Sequence, residues 1–182
     1  MKKPIYIKFL EFKRRHNLSI SVIQDMMSEY ANSGPSTARS YFMNKYSISE
    51  HVFYRCRDFA IICMLVDGRT QKRLFKKAAF NSQEHNVHQS SRKSISYSEK
   101  LLMQREDFFN SFSRNEIEDI CHKYAEGLPL EKIASSYSTG TFCIKNLLKK
   151  GILLGYVDEY TYGAISLRVR LSGRNINEIF NK

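Results

Sequence analysis

The chain has 182 residues, 42% of them hydrophobic, with 11 Tyr, 12 Phe, no Trp and a net charge of +11. That length allows one domain or two small ones, and the apolar and aromatic content excludes a disordered basic tail. No segment approaches the roughly 18 apolar residues of a membrane span, and the basic start, Met1–Pro4, leads into no apolar segment with a small-residue cleavage site. The cytoplasm is the expected compartment. Basic residues outnumber acidic ones 15 to 6 over residues 1–80, match them 4 to 4 over 81–112 and stand at 10 to 8 over 113–182. Affinity for polyanions through counterion release is therefore expected first from residues 1–80, although a solvated surface would carry the same charge.

In chain order, residues 5–16 read as a helix with Ile5, Phe9 and Phe12 on one side and Lys8, Lys13, Arg14 and Arg15 mostly on another. Ser19 caps a helix that runs to Tyr30 with Ile23, Met26, Met27 and Tyr30 at helical spacing, and Asn32–Pro35 ends it. Residues 36–45 form a short helix. After a turn at Ser47, Ser49 caps a longer helix through Phe59, Ile62 and Leu65, which Asp67-Gly68 is expected to break. Residues 70–80 give one more amphipathic helix, burying Leu74, Phe75 and Ala78 and leaving Lys72, Arg73, Lys76 and Lys77 outside.

From 81 to 98 the composition turns to Asn, Ser, Gln and His without apolar period, which marks a linker. His85 and His88 have a spacing seen in metal sites, but no cysteine or carboxylate nearby completes a ligand set, so neither metal nor cofactor is expected. Cys56, Cys63, Cys121 and Cys143 sit in apolar periodic segments, form no CxxC pair and read as buried thiols. A helix from about Ser98 to Asn110 follows. Ser113 and Glu116 then have capping-box spacing and start a helix carrying Ile117, Ile120, Cys121 and Tyr124, which Gly127 stops. Pro129 opens a short helix, Gly140 leads into the next, and Gly151 is expected to end that one. Beyond it Ile165, Leu167, Val169 and Leu171 alternate with polar residues, a strand period that suggests a wing.

The second half repeats the first. At an offset of 94, Ser19, Ile23, Asp25, Tyr30-Ala31 and Pro35 meet identical residues; at an offset of 91, Tyr46-Ser47, Ile61, Val66-Asp67 and Thr70 do so. Most other positions keep apolar opposite apolar, the pattern of a duplicated fold. The repeat places residues 158–172 opposite the helix 70–80 and so favours a helix over a wing. The expected fold is all-α: two tandem helix-turn-helix domains, 1–80 and 99–182, joined by the linker 81–98.

The unit itself is read from its spacing. A helix-turn-helix needs a small or apolar residue inside its first helix and apolar residues one turn apart on its second. Ile133-Ala134, Ile144 and Leu147 meet this around Ser138; Phe42-Met43, Phe53 and Cys56 meet it around Ser47. Both segments resemble the helix-turn-helix of resolvases and related recombinases, whose pattern is Ile-Ala, a turn glycine, then Val or Ile and Leu or Tyr. Serine replaces the turn glycine in both, and Met43 replaces the alanine in the first.

The resemblance implies double-stranded DNA as partner, with the second helix of each unit in the major groove. The outward positions are Ser49, Glu50, His51, Tyr54 and Arg55 in the first unit and Gly140, Thr141, Phe142, Lys145 and Asn146 in the second. Arg55 suits guanine or phosphate, Glu50 cytosine, Asn146 adenine, Lys145 phosphate or guanine, and Thr141 and Phe142 the thymine methyl. His51 suits donor or acceptor roles. Lys72, Arg73, Lys76 and Lys77 suit phosphates. No Walker loop, HExxH or GxSxG is present, so no enzyme is expected. Three roles fit: a nucleoid-associated transcriptional regulator of a bacterium, mobile element or phage; an accessory DNA-binding protein of recombination, replication or packaging, such as a small terminase subunit; and a protein-interaction module. A homodimer is compatible with each.

Overall fold

A computed structural model describes residues 5–34, 39–85 and 96–173, and among them the chain is helical without a strand. The helices are α1 (Ile5–His16), α2 (Ile20–Asn32), α3 (Arg39–Lys45), α4 (Glu50–Ile62), α5 (Gly68–His85), α6 (Tyr97–Asn110), α7 (Arg114–Ala125), α8 (Leu130–Ser136), α9 (Thr141–Leu153) and α10 (Glu159–Leu171). The alternating stretch 165–172 is thus mostly in a helix, not a wing. The chain forms two compact units, residues 1–108 and 109–182. Most of α6 belongs to the first unit, and α5 takes in residues 81–85 of the expected linker. The linker's interior lies outside the described residues, as does His88.

In the first unit α2 packs against α4 and α5, and α3 against α4. Phe42 and Phe53 are fully buried, and the Tyr30 ring meets both edge-on at 5.4 and 4.9 Å. α1 adds Phe9 and Phe12, whose rings lie 5.0 and 5.1 Å from Phe59. Each fully buried side chain of this kind contributes about 1.5–3 kcal/mol. In the second unit α7 packs against α8, α9 and α10, and α8 against α9. Ile117, Ile120, Ile133, Ile144 and Leu147 form its centre. All four cysteines are buried thiols.

The helix ends have local causes. Ser19, Ser49 and Ser113 accept the amides of Val22, Val52 and Glu116, and Ser113 with Glu116 forms the full capping box. Asp67 accepts from the Thr70 amide at 3.1 Å and Asp158 from the Thr161 amide at 2.6 Å. Asp67 therefore starts α5 rather than breaking α4. α4 stops earlier, at Ile62, because Met64 enters the left-handed region at φ 49° and returns the Leu65 amide to the Ala60 carbonyl.

Gly151 also departs from its expected role. It lies inside α9, buried, where a Cβ would stand 2.8 Å from Cys121 Sγ and 3.0 Å from Ile117 Cγ2. Its missing side chain lets α7 and α9 approach closely. The stop falls on Gly155, at φ 66°.

Candidate nucleic-acid interface

Each unit contains a seven-residue helix, a tight turn and a 13-residue helix: α3 and α4 in the first, α8 and α9 in the second. The turns share one conformation. Ser47 and Ser138 sit in the left-handed region at φ 53° and 47°, a strained place for a residue with a side chain. The backbone closes identically around them: Ile48 N donates to the Met43 carbonyl at 3.0 Å and Thr139 N to the Ala134 carbonyl at 2.9 Å. The tyrosine before each serine ties the turn to the preceding long helix. Tyr46 donates to Glu29 on α2 at 3.2 Å, and Tyr137 donates to Asp119 on α7.

A cation completes each anchor. Lys45 donates to Glu29 and stands 5.5 Å from the Tyr46 ring; Lys123 donates to Asp119 and stands 5.4 Å from the Tyr137 ring. The Lys45 bond holds the Glu29 carboxyl below its ordinary range, and the bonds from Lys123 and then Tyr137 do the same for Asp119. These ion pairs are solvent-exposed, so their effect is on turn geometry more than on stability.

Comparison with protein-family models, with curated proteins and with solved structures finds no match.

On α4, Ser49 spends its hydroxyl oxygen on the cap, while Glu50 and His51 are exposed. Tyr54 is half-buried, and its hydroxyl accepts from Arg39 of α3. Arg39 also stands 3.9 Å from Glu50. The half-buried Arg55 lays its guanidinium 4.8 Å from the Phe59 ring, leaving nitrogens for an external acceptor. Arg39 is the neighbour that helical spacing alone missed, because it precedes the turn by eight positions.

On α9, Gly140 is the buried N-cap, and Thr141, Phe142, Lys145 and Asn146 are half-buried. Asn146 Nδ2 donates to the Phe142 carbonyl at 2.9 Å, so part of its amide is used within its own helix. Gly140 offers only backbone.

On α5, Lys72, Arg73 and Lys76 are exposed, with Arg73 bonded to Asn32 Oδ1. Lys77 points elsewhere: its ammonium donates to the carbonyls of Tyr30 at 2.6 Å and Ser33 at 3.1 Å. Among the described residues no group of His, Cys, Asp and Glu is arranged to hold a metal, and no helix is long and apolar enough to cross a membrane.

Proposed function

We propose that this protein is a sequence-specific double-stranded DNA-binding protein with two helix-turn-helix reading heads, α3–α4 and α8–α9, arisen by duplication and acting as a transcriptional regulator of a bacterium or mobile element. The observation that carries this reading is the repeated turn: Ser47 and Ser138, 91 positions apart, take the same left-handed conformation between a short and a longer helix. A chain of net charge +11 supplies the electrostatic attraction such a protein needs. Two different outward sets, with Arg55 on one head and Lys145 on the other, imply two different half-sites and so an asymmetric target.

Selection of bound sequences from random duplexes, followed by footprinting, tests this. The expected result is a bipartite site, with Arg55→Ala relaxing preference at one end and costing about 1–3 kcal/mol. Binding without preference would favour the second reading, an accessory protein that assembles on DNA; the exposed apolar surface of the second unit, with Tyr160 and Leu171 uncovered, is what supports that alternative. No affinity for DNA would leave a protein-interaction module.

A further inference from the structure

A chain of contacts runs along α4 from its buried flank to the outward turn at its start. At the buried end Arg57 Nη2 donates to Asp58 Oδ1 and to the Tyr97 hydroxyl of α6, both at 3.0 Å, so its guanidinium is fixed in place. The ring of Tyr54, one helical turn earlier, lies 4.9 Å from that guanidinium. The Tyr54 hydroxyl accepts from Arg39 of α3, whose guanidinium stands 5.8 Å from the same ring and whose Nη1 stands 3.9 Å from Glu50 Oε1. Burial falls away along this path: Arg57 and Asp58 are buried, Tyr54 and Arg39 half-buried, and Glu50 exposed.

The buried end is costly for the fold. Two charges leave water there, and Arg57 Nη1 has no hydrogen-bond partner among the described residues. The helix-turn-helix arrangement itself does not require them. At 91 positions on, the offset at which the two turns correspond, α9 carries Leu148 in place of Arg57, and it too is buried. Lys145 stands there in place of Tyr54, and Thr141 in place of Glu50. Apolar residues of similar volume are commonly as stabilising as a buried ion pair or more so, and the reason for Arg57 is therefore sought in what it holds.

We propose that Arg39 reads a guanine for the first head and that Arg57 is the residue that positions it, acting through the Tyr54 ring. This rests on the reading of α3–α4 as a DNA-binding unit. The bond to Tyr54 uses one N–H of Arg39 and leaves others, at the start of α4, where a recognition helix meets base edges. Glu50 decides between base and phosphate. Its exposed carboxylate repels a phosphate, but it accepts from the amino group of cytosine, while O6 and N7 of the paired guanine accept from arginine. A G·C pair thus matches both side chains, and a phosphate matches only one. An arginine free to move loses rotamer freedom when it binds, whereas one already held by Tyr54 loses less. The buried pair supplies that preorganisation, since Tyr54 is only as fixed as the group it rests on.

Site selection with the full chain, beside salt titrations and urea unfolding, tests this. The half-site of the first head contains a required G·C pair, and Arg39→Ala lowers the preference for it about tenfold or more while leaving the salt slope in place. A uniform loss over all duplexes, with the slope reduced by about one, makes Arg39 a phosphate contact and overturns the guanine reading. Arg57→Leu with Asp58→Asn removes both buried charges, unfolds at the wild-type urea concentration or above, and loses the G·C preference as Arg39→Ala does. Tyr54→Phe keeps the ring, removes only the hydroxyl and gives the same loss. In the DNA-free protein, nitrogen relaxation of the Arg39 Nε–H group shows a side chain as ordered as the backbone in the wild type and mobile in both variants. A G·C preference retained in either variant overturns the positioning role and leaves the DNA-binding reading standing. Absence of wild-type affinity for any duplex overturns both.

Discussion

Lys77 and Arg168, 91 positions apart, make the same contact in the two units. Lys77 donates to the Tyr30 carbonyl and stands 4.3 Å from the ring of that tyrosine; Arg168 donates to the Tyr124 carbonyl and stands 4.3 Å from its ring. Each also reaches one further carbonyl, Lys77 that of Ser33 and Arg168 that of Gly127 at 2.9 Å. A cation from α5 or α10 thus closes the C-terminus of α2 or α7, where the last-turn carbonyls and the helix dipole both favour positive charge.

The consequence is one of stability. Lys77→Ala and Arg168→Ala should each cost about 1–2 kcal/mol, from charge-assisted hydrogen bonds and the dipole interaction together. Urea unfolding followed by circular dichroism measures this, and Lys77→Arg should recover most of the loss. A change below about 0.5 kcal/mol, the range of ordinary surface substitutions, would mean that water serves these carbonyls equally well.

Behind α4 lies a buried ionic cluster. Arg57 and Asp58 are 3% and 8% exposed; Arg57 Nη2 donates to Asp58 Oδ1 at 3.0 Å and to the Tyr97 hydroxyl at 3.0 Å, and Tyr97 donates to Asp58 Oδ2 at 2.6 Å. Burial, with the bond to Asp58, pushes the Tyr97 hydroxyl up to about 12, so it remains a donor throughout the physiological range. Arg57 is held between the rings of Tyr54 and Tyr97, at 4.9 and 5.4 Å. Removing the carboxylate strands a buried cation whose Nη1 already has no partner. Asp58→Ala should therefore cost about 3–5 kcal/mol and Tyr97→Phe about 1–2 kcal/mol. Equal effects from the two would show that the carboxylate is not what balances Arg57.

Gly151 yields a prediction of opposite kind, where adding atoms is the injury. Gly151→Ala places a methyl against Cys121 Sγ and Ile117 Cγ2 and should destabilise by about 1–3 kcal/mol despite alanine's better helix propensity. Gly151→Ala combined with Cys121→Ala should recover part of this, which a double-mutant cycle in thermal unfolding reads directly.

These arrangements also show what could be read in the sequence. The caps were legible, since Ser19, Ser49 and Ser113 precede apolar periods and a short polar side chain there has one good use. The helical character of 158–172 was legible only through the repeat, because Ile165, Leu167, Val169 and Leu171 alternate like a strand; the outward pair, Leu167 and Leu171, creates that false period. Gly151 read as a stop because a glycine needed for close packing and one needed for a positive φ look alike in one dimension. Tyr97 carried no local signal for its bond to Arg57, 40 positions away. Within the candidate interface the same limit applies. Spacing puts Lys76 and Lys77 side by side, yet one faces solvent and the other caps α2, and only the fold separates them.

That separation makes the electrostatic prediction sharper. If α5 grips phosphates, the grip comes from Lys72, Arg73 and Lys76, while Lys77 is occupied with the Tyr30 and Ser33 carbonyls. Changing the three exposed residues together to alanine should lower affinity for all duplexes alike and reduce the slope of log K against log salt by about one unit for each phosphate no longer neutralised. Their unfolding free energy should move only by a few tenths of a kcal/mol, as for solvated side chains, with Arg73 the largest because it also bonds Asn32. Lys77→Ala should do the reverse, lowering stability and leaving the slope in place. Salt titrations of duplex binding beside urea unfolding distinguish the two classes. An unchanged slope in the triple variant would move the phosphate grip away from α5, with Arg39 and Arg55 beside the α3–α4 turn the next cations to test.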